Sequence, residues 1–286
     1  MNKMLTLAGE ALFPITRNRN GDLLPVPPST GFSVPGTIQG EGKLAGMPSL
    51  FIRLSGCNLR CIWRLEDGSF SRCDTPFASF DTREIVRLEV DELIELLKAN
   101  LGATRHVVIT GGEPMLQKDA LIDLAGRIKG KLGLHITIET NGTIFSSELA
   151  EYINLFSISP KLRNSDPDAK KLSTLGLQMS GPFKYHHQRR KNLEVIQSFI
   201  DFARNNGKDF QLKFVIGRPE DEFEIKEEFL DKLHSWEPSD VLLMPLGSAT
   251  EELLKSARLT MEMAVRNGWR YSPRIHIDLF GNRHGV

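Results

Sequence analysis

Along the chain, short apolar runs alternate with stretches in which apolar residues recur every three or four positions. Residues 49–54 (SLFIRL), 106–110 (HVVIT), 134–140 (LHITIET), 156–161 (FSISPK), 210–217 (FQLKFVIG) and 241–244 (VLLM) read as strands. Between them, Val90, Leu93, Ile94 and Leu97 fall on one face of a helix, as do Leu121, Leu124, Ala125 and Ile128. Leu193, Ile196, Phe199, Ile200 and Ala203 mark another helix, residues 222–233 a further one, and residues 249–267 a long last one stopped by Gly268. Gly130 and Gly133 lie near the end of the second helix, and Ser146 or Ser147 caps a short one carrying Leu149 and Ile153.

From residue 49 onward, strands and helices alternate roughly six times, with no internal repeat. Alternation of this kind implies parallel strands joined by right-handed crossovers. Six units predict an α/β fold, an open partial (βα)6 barrel, as a single domain over residues 1–286. Residues 1–33, with the Pro-rich patch LPVPP, are expected to form an irregular N-terminal arm or a weakly ordered early strand. Residues 164–171 are polar and are expected to be an exposed loop. The basic run 184–191 (KYHHQRRK) reads as a solvated helix start in preference to a nucleic-acid patch.

Composition narrows the function classes. Hydrophobic content of 40% and charged content of 25% are ordinary for a soluble globular chain of 286 residues. The formal net charge is zero, which gives no reason to expect a nucleic-acid or membrane partner. There are only three cysteines and no long apolar stretch or secretory signal, which favours a reducing, cytoplasmic setting.

All three cysteines, Cys57, Cys61 and Cys73, fall within residues 56–76, GCNLRCIWRLEDGSFSRCDTP, directly after the first strand. An odd number argues against a closed disulfide framework. A structural zinc site needs a fourth ligand, and the nearest histidine is His106. A four-iron cluster held by three thiolates keeps one iron open for a substrate or cofactor. An open iron–sulfur site, a zinc site completed by a distant histidine and three inert thiols all remain readings of this pattern. Asp67-Gly68 is a tight-turn signal inside the long Cys61–Cys73 interval. Elsewhere, TIQGEG (37–42) is either a turn between strands or a loop whose glycines admit a flat ligand, with Gln39 and Glu41 as hydrogen-bonding groups. TGGEP (110–114) and SPK (159–161), each at a strand exit, are turns or ligand contacts.

With residues 64–72 set aside, the cysteine loop reads CNLRCIW–CDT and resembles the cluster loop of the radical S-adenosylmethionine (SAM) superfamily, C-x3-C-x2-C. The actual spacing, C-x3-C-x11-C, departs from it by nine residues, read as a small excursion that returns to Cys73. TIQGEG, the tryptophan of CIW, the CDT, SPK and the closing YSPRIHIDLFGNRHGV resemble the 7-carboxy-7-deazaguanine synthase family over residues 37–286. The resemblance implies a lyase that converts 6-carboxy-5,6,7,8-tetrahydropterin to 7-carboxy-7-deazaguanine with loss of ammonia, on the way to queuosine and related deazapurines. It implies a [4Fe–4S] cluster on Cys57, Cys61 and Cys73, and S-adenosyl-L-methionine held by Gly112, Ser159, Pro160 and Lys161. One electron from the cluster would cleave SAM to a 5′-deoxyadenosyl radical that takes hydrogen from C6 of the pterin. Mg2+ at Thr75 would steer the ring contraction, with the pterin held by Ile38, Gln39, Gly40, Arg53, Thr110 and Val286. Glu113 either accepts from the SAM ammonium or serves the fold. His276 and His284 are taken as ordinary hydrogen-bonding residues. A flavodoxin-type reductant and a homodimer are further expectations. A glycyl-radical activating enzyme, or a metal-binding module without catalysis, are the alternatives, and the TIQGEG–CDT combination speaks against the first.

Overall fold

A computed structural model describes residues 3–286. Its strands are β1 (Met4–Phe13), β2 (Thr37–Ile38), β3 (Pro48–Leu54), β4 (Ile62–Arg64), β5 (Phe70–Arg72), β6 (Ile85–Glu89), β7 (His106–Gly111), β8 (His135–Thr140), β9 (Leu155–Ile158), β10 (Asp209–Ile216), β11 (Val241–Pro245) and β12 (Arg270–Tyr271). The longer helices are α1 (Val90–Asn100), α2 (Lys118–Arg127), α3 (Pro182–Arg189), α4 (Leu193–Asn205) and α5 (Thr250–Asn267), followed by the short α6 (Ile275–Phe280). One sheet runs β12-β11-β10-β9-β8-β7-β3-β1-β6, with β2 paired to β3. From β3 through β7 to β12 every neighbour is parallel, while β1 is antiparallel to both β3 and β6. Parallel strands interleaved with helices in this order form the open (βα)6 arrangement that the alternation predicts.

Successive side chains of a strand face opposite ways. Leu50, Ile52 and Leu54 of β3 therefore join the main core, with Val107 and Ile109 of β7, Ile136 and Ile138 of β8 and the apolar stripes of the helices. The intervening positions, among them Phe51, Arg53, Thr110, Glu139, Ser157, Lys213, Val215 and Met244, face a cavity on the other side of the sheet. Polar groups near the carboxyl ends of the strands are thereby gathered on one inner face.

Two expectations are corrected, and a third, the basic helix start, holds except at two buried positions. The N-terminal arm is not irregular throughout, because residues 4–13 form β1 with Leu5, Leu7 and Leu12 buried. A register shift between Leu7 and Leu12, with Gly9 at φ +53°, moves the apolar positions out of a single period-two phase. Residues 164–171 are not an exposed loop. Arg163–Ser165 is a tight helical turn, Ala169–Thr174 is helical, and Ser165 and Lys171 are buried. The Lys171 ammonium donates to the carbonyls of Ile62, Asn164 and Asp166, which makes its burial tolerable. Likewise the basic run 184–191 lies on and just after α3, yet His186 and Arg190 are buried. Residues 222–233 are helical but irregular, a short α-turn widening and then tightening.

Candidate active site

β3 ends at Leu54 and releases the chain into the cysteine loop. Ile62 pairs with Arg72, Trp63 with Ser71 and Arg64 with Phe70, so β4 and β5 make a hairpin. Its tip is a turn in which Gly68 takes φ +85° and Asp67 Oδ1 accepts from the Ser69 amide at 2.9 Å. Because Ile62 faces Arg72, Cys61 and Cys73 flank the last paired position and stand side by side at the hairpin's foot. The nine extra residues therefore leave the ends of the loop where a short spacer would put them. Cys57 and Cys73 pack against the Leu59–Cys61–Trp63 cluster together with Leu246, so the three thiols share one apolar wall of the cavity.

Burial pushes the Cys57 thiol up to about 12, with the charge of Glu113 adding to it. The Cys61 and Cys73 thiols are raised for the same reason. Such thiols stay protonated at neutral pH unless a metal takes the proton's place. The Leu59 amide approaches the Cys57 sulfur at 3.4 Å, a donor placed for an anionic sulfur. Among the described residues, no three His, Cys, Asp or Glu side chains converge as the ligands of a single metal ion do. A four-iron cluster asks only that each thiolate reach its own iron, so the donor set fits the cluster better than zinc.

The Gly-Gly pair after β7 permits a close approach. A Cβ on Gly111, which sits at φ +138°, would lie 2.1 Å from the Leu54 carbonyl oxygen. One on Gly112 would lie 2.2 Å from that of Gly56 and 2.6 Å from that of Ala78. Glu113 is fully buried and turned away from the cavity, accepting from the Met115 and Asn141 amides and the Thr140 hydroxyl at 3.0, 2.7 and 2.8 Å. It ties the loop after β7 to the end of β8. Beyond β9, Lys161 reaches the cavity and donates to Ser159 Oγ at 2.8 Å, while Pro160 is buried between them and does not line it.

Ile38, Gln39, Gly40, Arg53, Thr110, Gly112, Thr75, Ser159, Lys161 and Val286 line one cavity of about 260 Å³ together with the three cysteines. The Arg53 guanidinium lies 4.9 Å from the ring centre of Phe13 and 5.6 Å from that of Phe77. It makes no hydrogen bond or ion pair among the described residues. Gln39 Nε2 and Thr110 Oγ1 donate to the two oxygens of Glu139 at 3.1 and 2.7 Å. Thr75 Oγ1 is 3.4 Å from the Cys73 sulfur.

Sequence reasoning missed several members of the site. Glu139, Lys213, Asp74, Asn141 and Arg274 all line the cavity. Lys213 and Arg274 Nε both donate to Glu41, and Arg274 Nη2 donates to Asp74. Burial opposes the Glu41 charge, yet Lys213 and Arg274 hold its carboxyl well below the ordinary range. The available signal was a charge inside an apolar strand, Lys213 in FQLKFVIG and Glu139 in LHITIET. His276 and His284 also line the cavity. The His276 ring lies against Gly40, where a Cβ would come within 2.0 Å of Nδ1, and His284 meets Phe77 edge-on.

The model of the radical SAM superfamily matches residues 51–233. A 7-carboxy-7-deazaguanine synthase from Rhodopirellula baltica is 38% identical over 249 residues, 87% of this chain and 85% of that protein. One from Halobacterium salinarum is 36% identical over 252 residues, covering 86% and 88%. The crystal structure of QueE from Escherichia coli shares the fold, with a TM-score of 0.53 and 24% identity over 91% of this chain and 93% of that one.

Proposed function

The chain belongs to the radical SAM superfamily and within it to the 7-carboxy-7-deazaguanine synthases, and from that premise we propose how its residues serve the reaction. The reaction is the conversion of 6-carboxy-5,6,7,8-tetrahydropterin to 7-carboxy-7-deazaguanine with release of ammonia. The observation that carries the reading is the meeting, in one cavity, of all three thiols and an Arg53 guanidinium that makes no hydrogen bond or ion pair among the described residues. Cys57, Cys61 and Cys73 hold the [4Fe–4S] cluster, and Gly112, Ser159 and Lys161 face S-adenosyl-L-methionine, with Pro160 setting the turn between the last two. When bound, the cluster supplies the single electron that cleaves S-adenosylmethionine to the 5′-deoxyadenosyl radical.

The rest falls to the chain's own groups. Arg53, stacked on Phe13 and Phe77, offers its free N–H groups to the pterin carboxylate. Gln39, Thr110 and Glu139 form a fixed hydrogen-bonded row beside Ile38 and Gly40, and the Glu139 carboxylate suits the N–H donors of a pterin ring. Leu59, Trp63, Phe77 and Leu246 keep the wall apolar and exclude water. Val286, from the carboxyl-terminal segment, lines the same cavity and is assigned to the pterin. The Thr75 hydroxyl, next to the Asp74 carboxylate, offers the sparse oxygen ligation that suits Mg2+, a cation that keeps much of its hydration. The electron donor is a flavodoxin-type protein and the setting cytoplasmic, where an oxygen-sensitive cluster survives.

Anaerobic reconstitution of the intact chain and of Cys73→Ala tests the assignment. The intact chain should hold about four irons and four sulfides per molecule. The variant should lose most of them together with 5′-deoxyadenosine formation. Full iron content in Cys73→Ala would remove that thiol from the ligand set.

A further inference from the structure

The loop after β2 takes its position from the far end of the chain. The Gly42 amide donates to Ser272 Oγ at 2.9 Å and the Ile275 amide to the Gly40 carbonyl at 3.0 Å. The His276 ring covers Gly40 so closely that a Cβ there would meet Nδ1 at 2.0 Å. Among these contacts stands Arg274, buried, with every nitrogen of its guanidinium engaged. Nε donates to Glu41 Oε1 at 2.9 Å, Nη2 to Asp74 Oδ2 and Nη1 to the Gly247 carbonyl. One side chain thus joins the loop after β2, the residue between Cys73 and Thr75, the exit of β11 and its own carboxyl-terminal segment.

The charges make this junction specific. Glu41 and Asp74 accept from neighbouring N–H groups of the same guanidinium, so without it two carboxylates would repel each other at the cavity wall. Lys213 also donates to Glu41, but among the described residues Asp74 pairs with no cation other than Arg274. A lysine at this position would keep the charge and lose the fork, because an ammonium is a point donor on a flexible stem. With its nitrogens committed to the protein, Arg274 acts on a ligand only through the groups it holds.

We propose that Arg274 is a positioning residue for the pterin half of the cavity: by holding Glu41 against Asp74 it sets residues 38–40, and with them the affinity for the carboxypterin. The inference rests on the assignment of Ile38, Gln39 and Gly40 to the pterin. The other half of the cavity has its own supports. The hairpin foot places Cys61 and Cys73, and the exit of β9 places Ser159 and Lys161.

The test is anaerobic calorimetry on the reconstituted, unreduced protein, titrated with S-adenosylmethionine and then with 6-carboxytetrahydropterin. Arg274→Gln should raise the dissociation constant of the pterin roughly ten- to hundredfold, the usual effect of a small misplacement of a positioning group. Iron content and the dissociation constant of S-adenosylmethionine should stay within about twofold, as expected for sites with separate supports. Arg274→Lys keeps the buried charge, so it stands where the Gln variant fails to fold, and it should weaken the pterin by a smaller factor. Arg274→Gln/Glu41→Gln should weaken it no further than Arg274→Gln alone, since the two residues act as one unit. Gln39→Ala, which removes a proposed pterin contact, is the control on the site itself. Weaker pterin binding in Gln39→Ala but in neither Arg274 variant overturns the role of Arg274 alone. Unchanged binding in all three overturns the pterin assignment and this role with it. Loss of iron and of S-adenosylmethionine binding in both Arg274 variants would make Arg274 a support of the whole fold and overturn its assignment to one half.

Discussion

Arg53 is the residue whose surroundings say most about the substrate. A guanidinium stacked on two rings, within the field of Glu139 and Asp74 but hydrogen-bonded to neither, keeps its N–H groups open to an anion. Charge-assisted hydrogen bonds contribute about 1.5–3 kcal/mol. Arg53→Ala should therefore raise KM for the carboxypterin roughly ten- to hundredfold while leaving substrate-independent cleavage of S-adenosylmethionine near its ordinary slow rate. An unchanged KM would take the carboxylate away from Arg53. Away from the cavity, His106 donates or accepts between Ser49 and Thr137 at 2.7 and 2.8 Å, and burial, with His135 adding, lowers its pKa to about 4. The unfolded chain binds this proton near pH 6.5. Between pH 6.5 and 4 the unfolded state thus holds more protons, and stability falls as pH falls across that window. Urea titrations of the apoprotein at pH 7 and pH 5 should differ by up to about 2 kcal/mol on this account. His106→Gln should shrink the difference, and an equal drop in the variant would assign the acid sensitivity elsewhere.

At the scale of elements, the hairpin β4–β5 decides whether the unusual cysteine spacing matters. It is a closed excursion, paired down to Ile62 and Arg72, and its foot is fixed independently of its tip. Lys171 holds the Ile62 carbonyl at 2.7 Å and Asn164 accepts from Trp63 Nε1 at 3.1 Å. Deleting residues 64–72, which leaves Cys61-Ile62-Trp63-Cys73, should preserve iron content to within about a fifth of the roughly four expected. Loss of the cluster would show that the hairpin holds the third thiolate in place. The sequence made the parallel strands legible because buried strands are continuous apolar runs. The turn at Asp67-Gly68 was equally readable. β1 was legible only as one of two readings of the N-terminal arm, because its bulge breaks the alternation. The burial of Lys171 and Arg190 was not legible. A basic side chain reads as solvated until the carbonyls and carboxylates that receive it are known, and some of those, Ile62 for Lys171, and Lys161 and Glu224 for Arg190, come from other segments of the chain.

At the scale of the molecule, the sheet aligns its strand ends so that distant segments share one cavity. The early loop and the carboxyl-terminal segment meet across it. The Ile275 amide donates to the Gly40 carbonyl at 3.0 Å, the Gly42 amide donates to Ser272 Oγ at 2.9 Å, and Arg274 joins Glu41 to Asp74. This is why Glu139, Lys213 and Arg274 escaped a reading along the chain. Their roles depend on which strand lies beside which, whereas the cysteine, Gly-Gly and Ser-Pro-Lys motifs stand at strand exits and carry local signatures. Among the described residues, no helix is long and apolar enough to cross a membrane. The most direct measurement is an anaerobic incubation of the reconstituted protein with S-adenosylmethionine, dithionite, Mg2+ and 6-carboxytetrahydropterin, read by mass spectrometry. 7-Carboxy-7-deazaguanine and 5′-deoxyadenosine should appear together. 5′-Deoxyadenosine without the deazaguanine would keep the radical chemistry and contradict the substrate, and neither product from a sample with full iron content would contradict the function itself.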